Sequence, residues 1–571
     1  MYGDLAKLAS DFAFSARFYG RIIIMEHGLS GEQKTIKPKD TGGLAGGVKY
    51  IVNDILFKFA DNRHGIYGQG AAGKENADKA ANLDLLGCAS VFGARVPGIR
   101  VPLMALIDFR GQRLSAQSLL PINDNTLVVG SSDGCTTVHS QAYEAQYMLH
   151  LLGRALNLKP HAIQDRQGHE FEIWGGPFDL EVHLVHHDDQ RMYLLDFSRL
   201  CPPELPRDWQ DALKEGNPAM YQLLRPELVR CNPVPLNSDT FCSAAPDSDR
   251  PVHMREVYEA SQRLYRFVIP SYAQWLVAQD PASYPAEFSF SGTMHKNGIN
   301  MRHLFRVLVA VAALHPEQVD TDALLKSLDV STSASEVVVE GHLNQHQQKH
   351  QEQQRQDHRV RAWIHLLLVE MVSRAIKSRV RADMQASDAK IHRGENREPH
   401  PDLVARKLNG YLCGGNTIDS SSSSDASEQG WWYKQQLTKE RAACLSIWTD
   451  LLPELMRKFQ FCLTSEQQVH SDMIASSELR EFSNVSQESL AAARDFVVAP
   501  AFRHLPPSLF APSSGADALS DTGAWNLQRS LAKLFDPQDL YNFLDRRALF
   551  LRLQQVLQLT LRTEAWRERC S

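Results

Sequence analysis

Apolar positions in the first part of the chain fall in short runs separated by turn residues, which predicts strands. Beyond residue 250 they recur every three or four positions, which predicts helices. Leu5, Leu8, Phe12 and Phe14 lie partly on one face and predict a helix over residues 4–19. Arg21–Met25 is short and β-branched and predicts a strand, with a second at Lys34–Lys37 after a glycine-containing turn. Asn53-Asp54 predicts a tight turn between two strands within Tyr50–Phe59. A helix is expected over Lys74–Phe92, strands at Ile99–Phe109, Gln112–Pro121 and Thr126–Val129, and a helix over Gln141–Leu158.

The stretch Gly175–Glu204 reads as a hairpin with strands at Leu180–Val185 and Arg191–Phe197. Asp196 stands where the second strand runs out, and Pro202-Pro203 forbid further regular pairing. A helix-prone region begins near Asp208. Residues 1–230 are therefore expected to form an α+β domain of antiparallel hairpins with few helices. Residues 231–250, rich in Asn, Pro, Ser and Asp, read as a linker or long loop. Helical periodicity follows at Val252–Ala278, Ile299–Leu314 and Val360–Met384, giving a helical region over 251–400. The last region, 401–571, carries helical patterns at Trp431–Cys462, Leu531–Leu544 and Arg546–Trp566, broken by a serine-rich loop at 419–427. The fold class is α+β followed by an all-α C-terminal half.

Composition narrows the function. At 571 residues the chain exceeds one core, and 43% hydrophobic with 22% charged residues is the balance of a soluble globular protein. A net charge of −6 argues against a surface coated for nucleic acid, though not against a local basic patch. Nine scattered cysteines without CxxC spacing fit reduced thiols better than disulfides or a zinc site. The N-terminus lacks a signal pattern and no window reaches 18 uninterrupted apolar residues, so the expectation is a cytoplasmic protein without a transmembrane segment.

From Arg95-Val-Pro-Gly-Ile-Arg-Val-Pro-Leu-Met-Ala-Leu-Ile-Asp-Phe-Arg-Gly111 onward the chain resembles the Clu (clustered-mitochondria) domain. The likeness continues through Leu120-Pro-Ile122, Val129-Gly-Ser-Ser-Asp-Gly134 and Thr137-Val-His139. It is clearest at Gly176-Pro-Phe-Asp179 and Tyr193-Leu-Leu-Asp-Phe-Ser-Arg-Leu-Cys-Pro-Pro203, then Leu224-Arg-Pro-Glu-Leu-Val229. Weaker echoes occur at Asn297–Leu304 and in the helix Leu367–Met384. The resemblance implies a cytosolic, mitochondria-associated binding protein tied to mitochondrial distribution, with messenger RNA and cytosolic proteins as partners and no cofactor. Full-length Clu proteins carry a C-terminal helical-repeat region, and no 34-residue period is evident after residue 400.

The order of elements also resembles a two-lobed protein kinase. A glycine loop at Gly42–Gly47, with Gly43, Gly46 and Gly47 as candidate phosphate-cradling residues, precedes Lys58 on a strand and a helix carrying Glu75. Leu120-Pro-Ile122 takes the place of a hinge, and the late hairpin ends in Asp196. Under this alternative the protein is an ATP- and magnesium-dependent phosphotransferase. Lys58 pairs with phosphate, Asp196 is the metal ligand, and Asp179 and Glu181 are the catalytic acids. The HRD and DFG tripeptides are absent, because Ser198 follows Phe197. A binding module rather than an enzyme therefore leads, with Asp196 capping the strand or pairing with Arg199 or Arg95.

Other constellations weigh less. His183, His186, His187, Asp188 and Asp189 resemble a metal set, but turns collect such residues for local hydrogen bonds. His342, His346 and His350 recur at helical spacing inside a glutamine-rich tract without partner ligands. Gly130-Ser-Ser-Asp-Gly134 with His139 offers Ser, Asp and His but lacks a nucleophile-elbow setting, and nothing near Cys135 in sequence favours its thiolate. Arg374, Lys377, Arg379 and Arg381 are RNA-binding candidates on a basic helix, and Trp431-Trp432-Tyr433 offers stacking surface.

Overall fold

The structure is a computed structural model that describes residues 2–39, 47–185, 191–204, 218–242, 244–246, 248–284, 288–314, 345–392, 399–413, 447–459, 540, 544 and 546–557. It divides into two compact units. The first runs through Leu264 and takes in Gln385 and the residues just after it. The second begins at Tyr265 and holds Tyr265–Met384 with the described helices from residue 400 on.

In the first unit, α1 (Tyr2–Met25) packs on a five-stranded sheet ordered β1-β2-β3-β6-β5. Its strands are β1 (Pro38–Lys39), β2 (Lys49–Val52), β3 (Ile55–Phe59), β5 (Met104–Phe109) and β6 (Gln112–Ser118). The strand expected at Arg21–Met25 is the last part of α1 instead. Ala16, Ile23 and Ile24 bury there against Phe57, Ile107 and Leu114, and that burial overrides the β preference of the isoleucine run. Of the strand expected at Lys34–Lys37, pairing begins only at Pro38. Asn53 and Asp54 both take positive φ, 52° and 55°, the backbone that a type I′ hairpin turn requires.

The run Ile99–Phe109 divides at Pro102, which has no amide proton to give a ladder. β4 (Ile99–Arg100) joins a second sheet of four strands, ordered β4-β11-β10-β7, and β5 stays in the first. β7 (Leu127–Val129), β10 (Glu181–Val185) and β11 (Arg191–Leu195) complete the second sheet. The predicted hairpin is β10–β11, in antiparallel register Glu181↔Leu195 to Val185↔Arg191. β8 (His161–Gln164) and β9 (Glu170–Ile173) form a separate two-stranded sheet.

Helices α2 (Gly70–Ala94) and α3 (Tyr143–Leu156) pack on one another, and α2 also reaches β5. The segment read as a linker is irregular but packed: Leu236, Asn237, Ser238, Asp239 and Thr240 are all buried. After α4 (Pro226–Arg230), the unit closes with α5 (Arg250–Arg263).

The second unit is helical, as expected, with α6 (Ile269–Ala278), α7 (Phe290–Lys296) and α8 (Leu304–Ala313). A 48-residue helix, α9 (Gln345–His392), passes through it, and α10 (His400–Cys413), α11 (447–459) and α12 (Arg546–Leu557) follow. Trp363, Leu367, Leu368, Val372 and Ile376 make α9 the centre of that core.

Candidate functional site

β3 shows why one lysine is set apart from the core. Ile55, Phe57 and Phe59 bury against α1, so alternation sends Leu56 and Lys58 to the opposite face of the sheet. The backbone there is fixed by the β3–β6 register and by Ser115, whose hydroxyl donates to the Lys58 carbonyl at 3.2 Å. No hydrogen bond or ion pair engages the Lys58 ammonium among the described residues. Burial works against its charge, yet Asp196, Asp84, Tyr67 and Glu181 outweigh that and raise its pKa.

Asp196 comes from the other sheet. β11 stops at Leu195, and Asp196 then takes a left-handed backbone with φ 57°, a conformation that few non-glycine residues hold without support. The support is visible one residue on, where the Phe197 amide donates to the Asp84 carboxylate of α2 at 3.0 Å. α2 comes unusually close at this point. A Cβ added to Gly87 would lie 2.3 Å from the Phe197 carbonyl oxygen.

The Asp196 side chain remains open to water, although protein surrounds it closely enough that burial is the main influence lifting its pKa to about 7. Lys58 opposes that rise, and Glu181, Asp84 and Asp179 add to it. Such a combination marks a carboxyl that water still reaches while protein crowds it, as at many functional sites.

Asp179 and Glu181 both act on the Asp196 carboxyl, Asp179 from the loop before β10 and Glu181 as its first residue. Asp179 accepts from Arg199 at 3.3 Å through Oδ2, while its Oδ1 is buried with no partner among the described residues. Burial lifts its pKa to about 6 against the pull of Arg199. Glu181 contacts His183 at 3.3 Å. Arg199 is thus not the partner of Asp196, and its second carboxylate is the fully buried Asp239.

Two residues at this site escaped the sequence reading. Asp84, rather than Glu75, is the α2 carboxylate acting on Lys58. A polar residue at an inward position of α2 was the available signal. Asp239, inside the supposed linker, accepts from His161 at 3.0 Å, from the Phe178 amide at 2.7 Å and from Arg199, and so clamps the Gly176-Pro-Phe-Asp179 turn.

The remaining candidates are dispersed. Gly43 and Gly46 lie outside the described residues, and the Gly47 amide donates to the Phe59 carbonyl at 2.9 Å rather than facing a ligand. His186, His187, Asp188, Asp189, His342 and Trp431-Trp432-Tyr433 lie outside them too, as do the side chains of His346 and His350. His183 is held by Thr126 at 3.0 Å and by Glu181. Ser131 and Asp133 hydrogen bond to each other at 3.0 Å and to the turn after them. Burial pushes the Cys135 thiol up, which keeps it protonated.

On α9, Arg374 donates to Glu370 at 2.6 Å and Arg379 hydrogen bonds with Tyr411. Lys377 and Arg381 also have partners, and all four basic residues are half-buried. Among the described residues, no helix is long and apolar enough to cross a membrane. Nor, among them, do three His, Cys, Asp or Glu side chains converge as a metal-holding group.

Comparison with known proteins gives two family matches. Residues 2–206 match the family described as Clustered mitochondria, and residues 287–497 match the family described as Translation initiation factor eIF3 subunit 135. A Clustered mitochondria protein homolog of Pyricularia oryzae is 27% identical over 197 residues, 32% of this chain and 14% of that protein. One of Neurospora crassa is 27% identical over 239 residues, 39% of this chain and 17% of its own length. The Clustered mitochondria protein of Arabidopsis thaliana is 32% identical over 161 residues, 26% of this chain and 10% of its own. This chain therefore spans only a small part of the length of these relatives. No solved structure matches it. The motifs from Arg95 to Pro203 and the paired sheets that they build fall within the match over residues 2–206, so that part of the chain is a Clu domain.

Proposed function

We propose that the chain works in the cytoplasm as a binding protein for the distribution of mitochondria, and that it contacts messenger RNA. The observation that carries this reading is the Clustered mitochondria match over residues 2–206, shared with relatives that bear the same name. Arg374, Lys377, Arg379 and Arg381 are the RNA candidates. Because Arg374 turns one edge to Glu370, RNA contact there draws on the remaining N–H groups of its guanidinium. Deleting the gene and imaging mitochondria tests the first arm, and an unchanged distribution sinks it. Crosslinking followed by RNA sequencing tests the second, which fails if no transcript is enriched over background.

A second reading is favoured by one specific observation: Asp84 and Asp196, carried by different elements, both act on the Lys58 ammonium, and this reading takes the space among them as a cleft. That grouping suits a kinase-like site for ATP and magnesium, with Lys58 toward phosphate, Asp196 toward the metal, and Asp179 and Glu181 toward the acceptor group. The donor set fits magnesium in the way that metal is usually held, by one or two carboxylates with phosphate oxygens and water completing the shell. The metal's contribution when bound is to neutralise charge on the phosphates. Thermal unfolding of the chain with and without magnesium and ATP tests this reading. Stabilisation in the wild type that Asp196→Asn abolishes supports it, and no stabilisation in the wild type ends it.

A further inference from the structure

Resting on the nucleotide–magnesium reading of the cleft, we infer that Asp84 is its positioning residue: through the Phe197 amide it holds Asp196 in the geometry that receives a magnesium-complexed polyphosphate.

Asp196, Asp84 and Glu181 all act on one ammonium, Lys58, and Asp179 adds its charge at Asp196. Arg199 does not relieve them, because it is engaged by Asp179 and Asp239. A group with that excess of negative charge calls for a cationic ligand, while Lys58, which has no hydrogen-bond partner among the described residues, calls for an anionic one. A magnesium-complexed polyphosphate supplies both in one molecule. The Oδ1 of Asp179 is buried and has no partner among the described residues, an acceptor left unsatisfied beside these acids.

The division of labour among the acids follows from geometry. Asp196 is exposed to the cleft, so it is the carboxylate free to meet a metal. Asp84 is buried, and its Oδ1 is already engaged by the Phe197 amide at 3.0 Å. Asp196 needs that hold. Its positive φ is a conformation that persists in a residue with a side chain only where neighbours determine it. Gly87, one turn along α2, lets the helix backbone approach the Phe197 carbonyl, so that the turn is gripped at both its amide and its carbonyl side.

Binding of ATP to the full-length chain, titrated across magnesium concentrations by calorimetry, tests the inference. Asp84→Ala is expected to weaken magnesium-dependent binding about 10–100-fold, the usual cost of losing a second-layer partner. Asp84→Asn keeps an amide oxygen that accepts from Phe197 and is expected to restore the magnesium dependence. If wild type shows no magnesium-dependent ATP binding, the cleft reading itself falls and this inference with it. If wild type binds and Asp84→Ala matches it, only the positioning role falls. The same holds if Asp84→Ala and Asp84→Asn lose binding alike, since charge and not the hydrogen bond then matters. Should Asp84→Ala not fold, hydrogen exchange at the wild-type Phe197 amide decides. Slower exchange on adding magnesium and ATP supports the inference, and unchanged exchange overturns it.

Discussion

Arg552 of α12 holds Glu370 of α9 through two hydrogen bonds, Nε to Oε2 at 2.5 Å and Nη2 to Oε1 at 2.8 Å. Glu370 is fully buried, and it also accepts from Arg374 at 2.6 Å and from the Tyr284 hydroxyl at 2.9 Å. A carboxylate with this many donors is fully compensated for its lost water, which keeps its pKa below the usual range despite its burial. The second unit is thus fastened at one acid by side chains that lie far apart in sequence.

Removing the two ends of this contact has unequal consequences. Arg552→Ala leaves Glu370 with Arg374 and Tyr284, so the expected loss is that of charged hydrogen bonds, about 2–3 kcal/mol. Glu370→Ala strands two guanidinium groups and a buried hydroxyl, with an expected loss of about 3–5 kcal/mol. Denaturant unfolding followed by tryptophan fluorescence measures both, since Trp363 belongs to the same core. Equal losses in the two variants would contradict this account.

In the first unit Asp239 plays the corresponding part, and its effect is tied to pH. Burial alone would raise its pKa, but Arg199, then His161 and the Phe178 amide, bring it below the ordinary value. A depressed carboxylate contributes stability that is present above its unfolded pKa, about 3.9, and is lost as pH falls through the folded value. Asp239→Ala is therefore expected to cost about 3–5 kcal/mol at neutral pH and much less in strong acid. Urea unfolding at pH 7 and near pH 3 checks this. A penalty as large in acid as at neutrality would show that lost packing, not charge, is responsible.

The sequence made the β10–β11 hairpin and Asp196 at its exit readable, because alternation, an acidic turn and Pro202-Pro203 all act locally. The Asn53-Asp54 turn was readable for the same reason. What the pattern missed was decided by distant contacts. The isoleucines at the end of α1 became helical because a sheet formed later in the chain buries them. Ile99–Phe109 divided between two sheets because Pro102 interrupts it and each half met a different partner. Lys58 and Asp196 were legible as suspects, whereas Asp84 and Asp239 were not. An acid on a helix or in a loop gives no sign of the amide or guanidinium that it will meet across the fold.

Gly87 offers a test of how tightly α2 is seated. A Cβ there would meet the Phe197 carbonyl oxygen at 2.3 Å and the Phe197 Cβ at 2.7 Å, both below any tolerable contact. Gly87→Ala should favour the isolated helix through its better propensity, by about 1 kcal/mol, but force α2 off the turn. The clash dominates, and a net destabilisation of about 1–3 kcal/mol is expected. Gly93, near the end of the same helix, has nothing within 4 Å of an added Cβ, so Gly93→Ala is the control and should be neutral or stabilising. Thermal unfolding of the pair compares them directly, and equal behaviour would mean that α2 is not pressed against Phe197.

Asp196 itself makes the sharpest prediction, because its pKa is displaced in the opposite sense to that of Asp239. Burial, with Glu181, Asp84 and Asp179 adding to it, lifts the carboxyl to about 7 against the pull of Lys58. A carboxyl whose folded pKa lies above its unfolded value of about 3.9 binds its proton more tightly when folded. Its contribution is greatest below about pH 4 and disappears as pH rises through about 7, so ionisation near neutrality opposes folding. Asp196→Asn, which imitates the protonated form, should therefore unfold at a higher temperature than wild type at pH 8. The gap should narrow towards pH 5, where wild type is itself protonated. A stability optimum set against a functional charge is what an acid held for a ligand shows, whereas an acid that merely ends a strand is stabilising when ionised. If Asp196→Asn is less stable than wild type at pH 8, the carboxylate is serving the fold, and the cleft loses its central group.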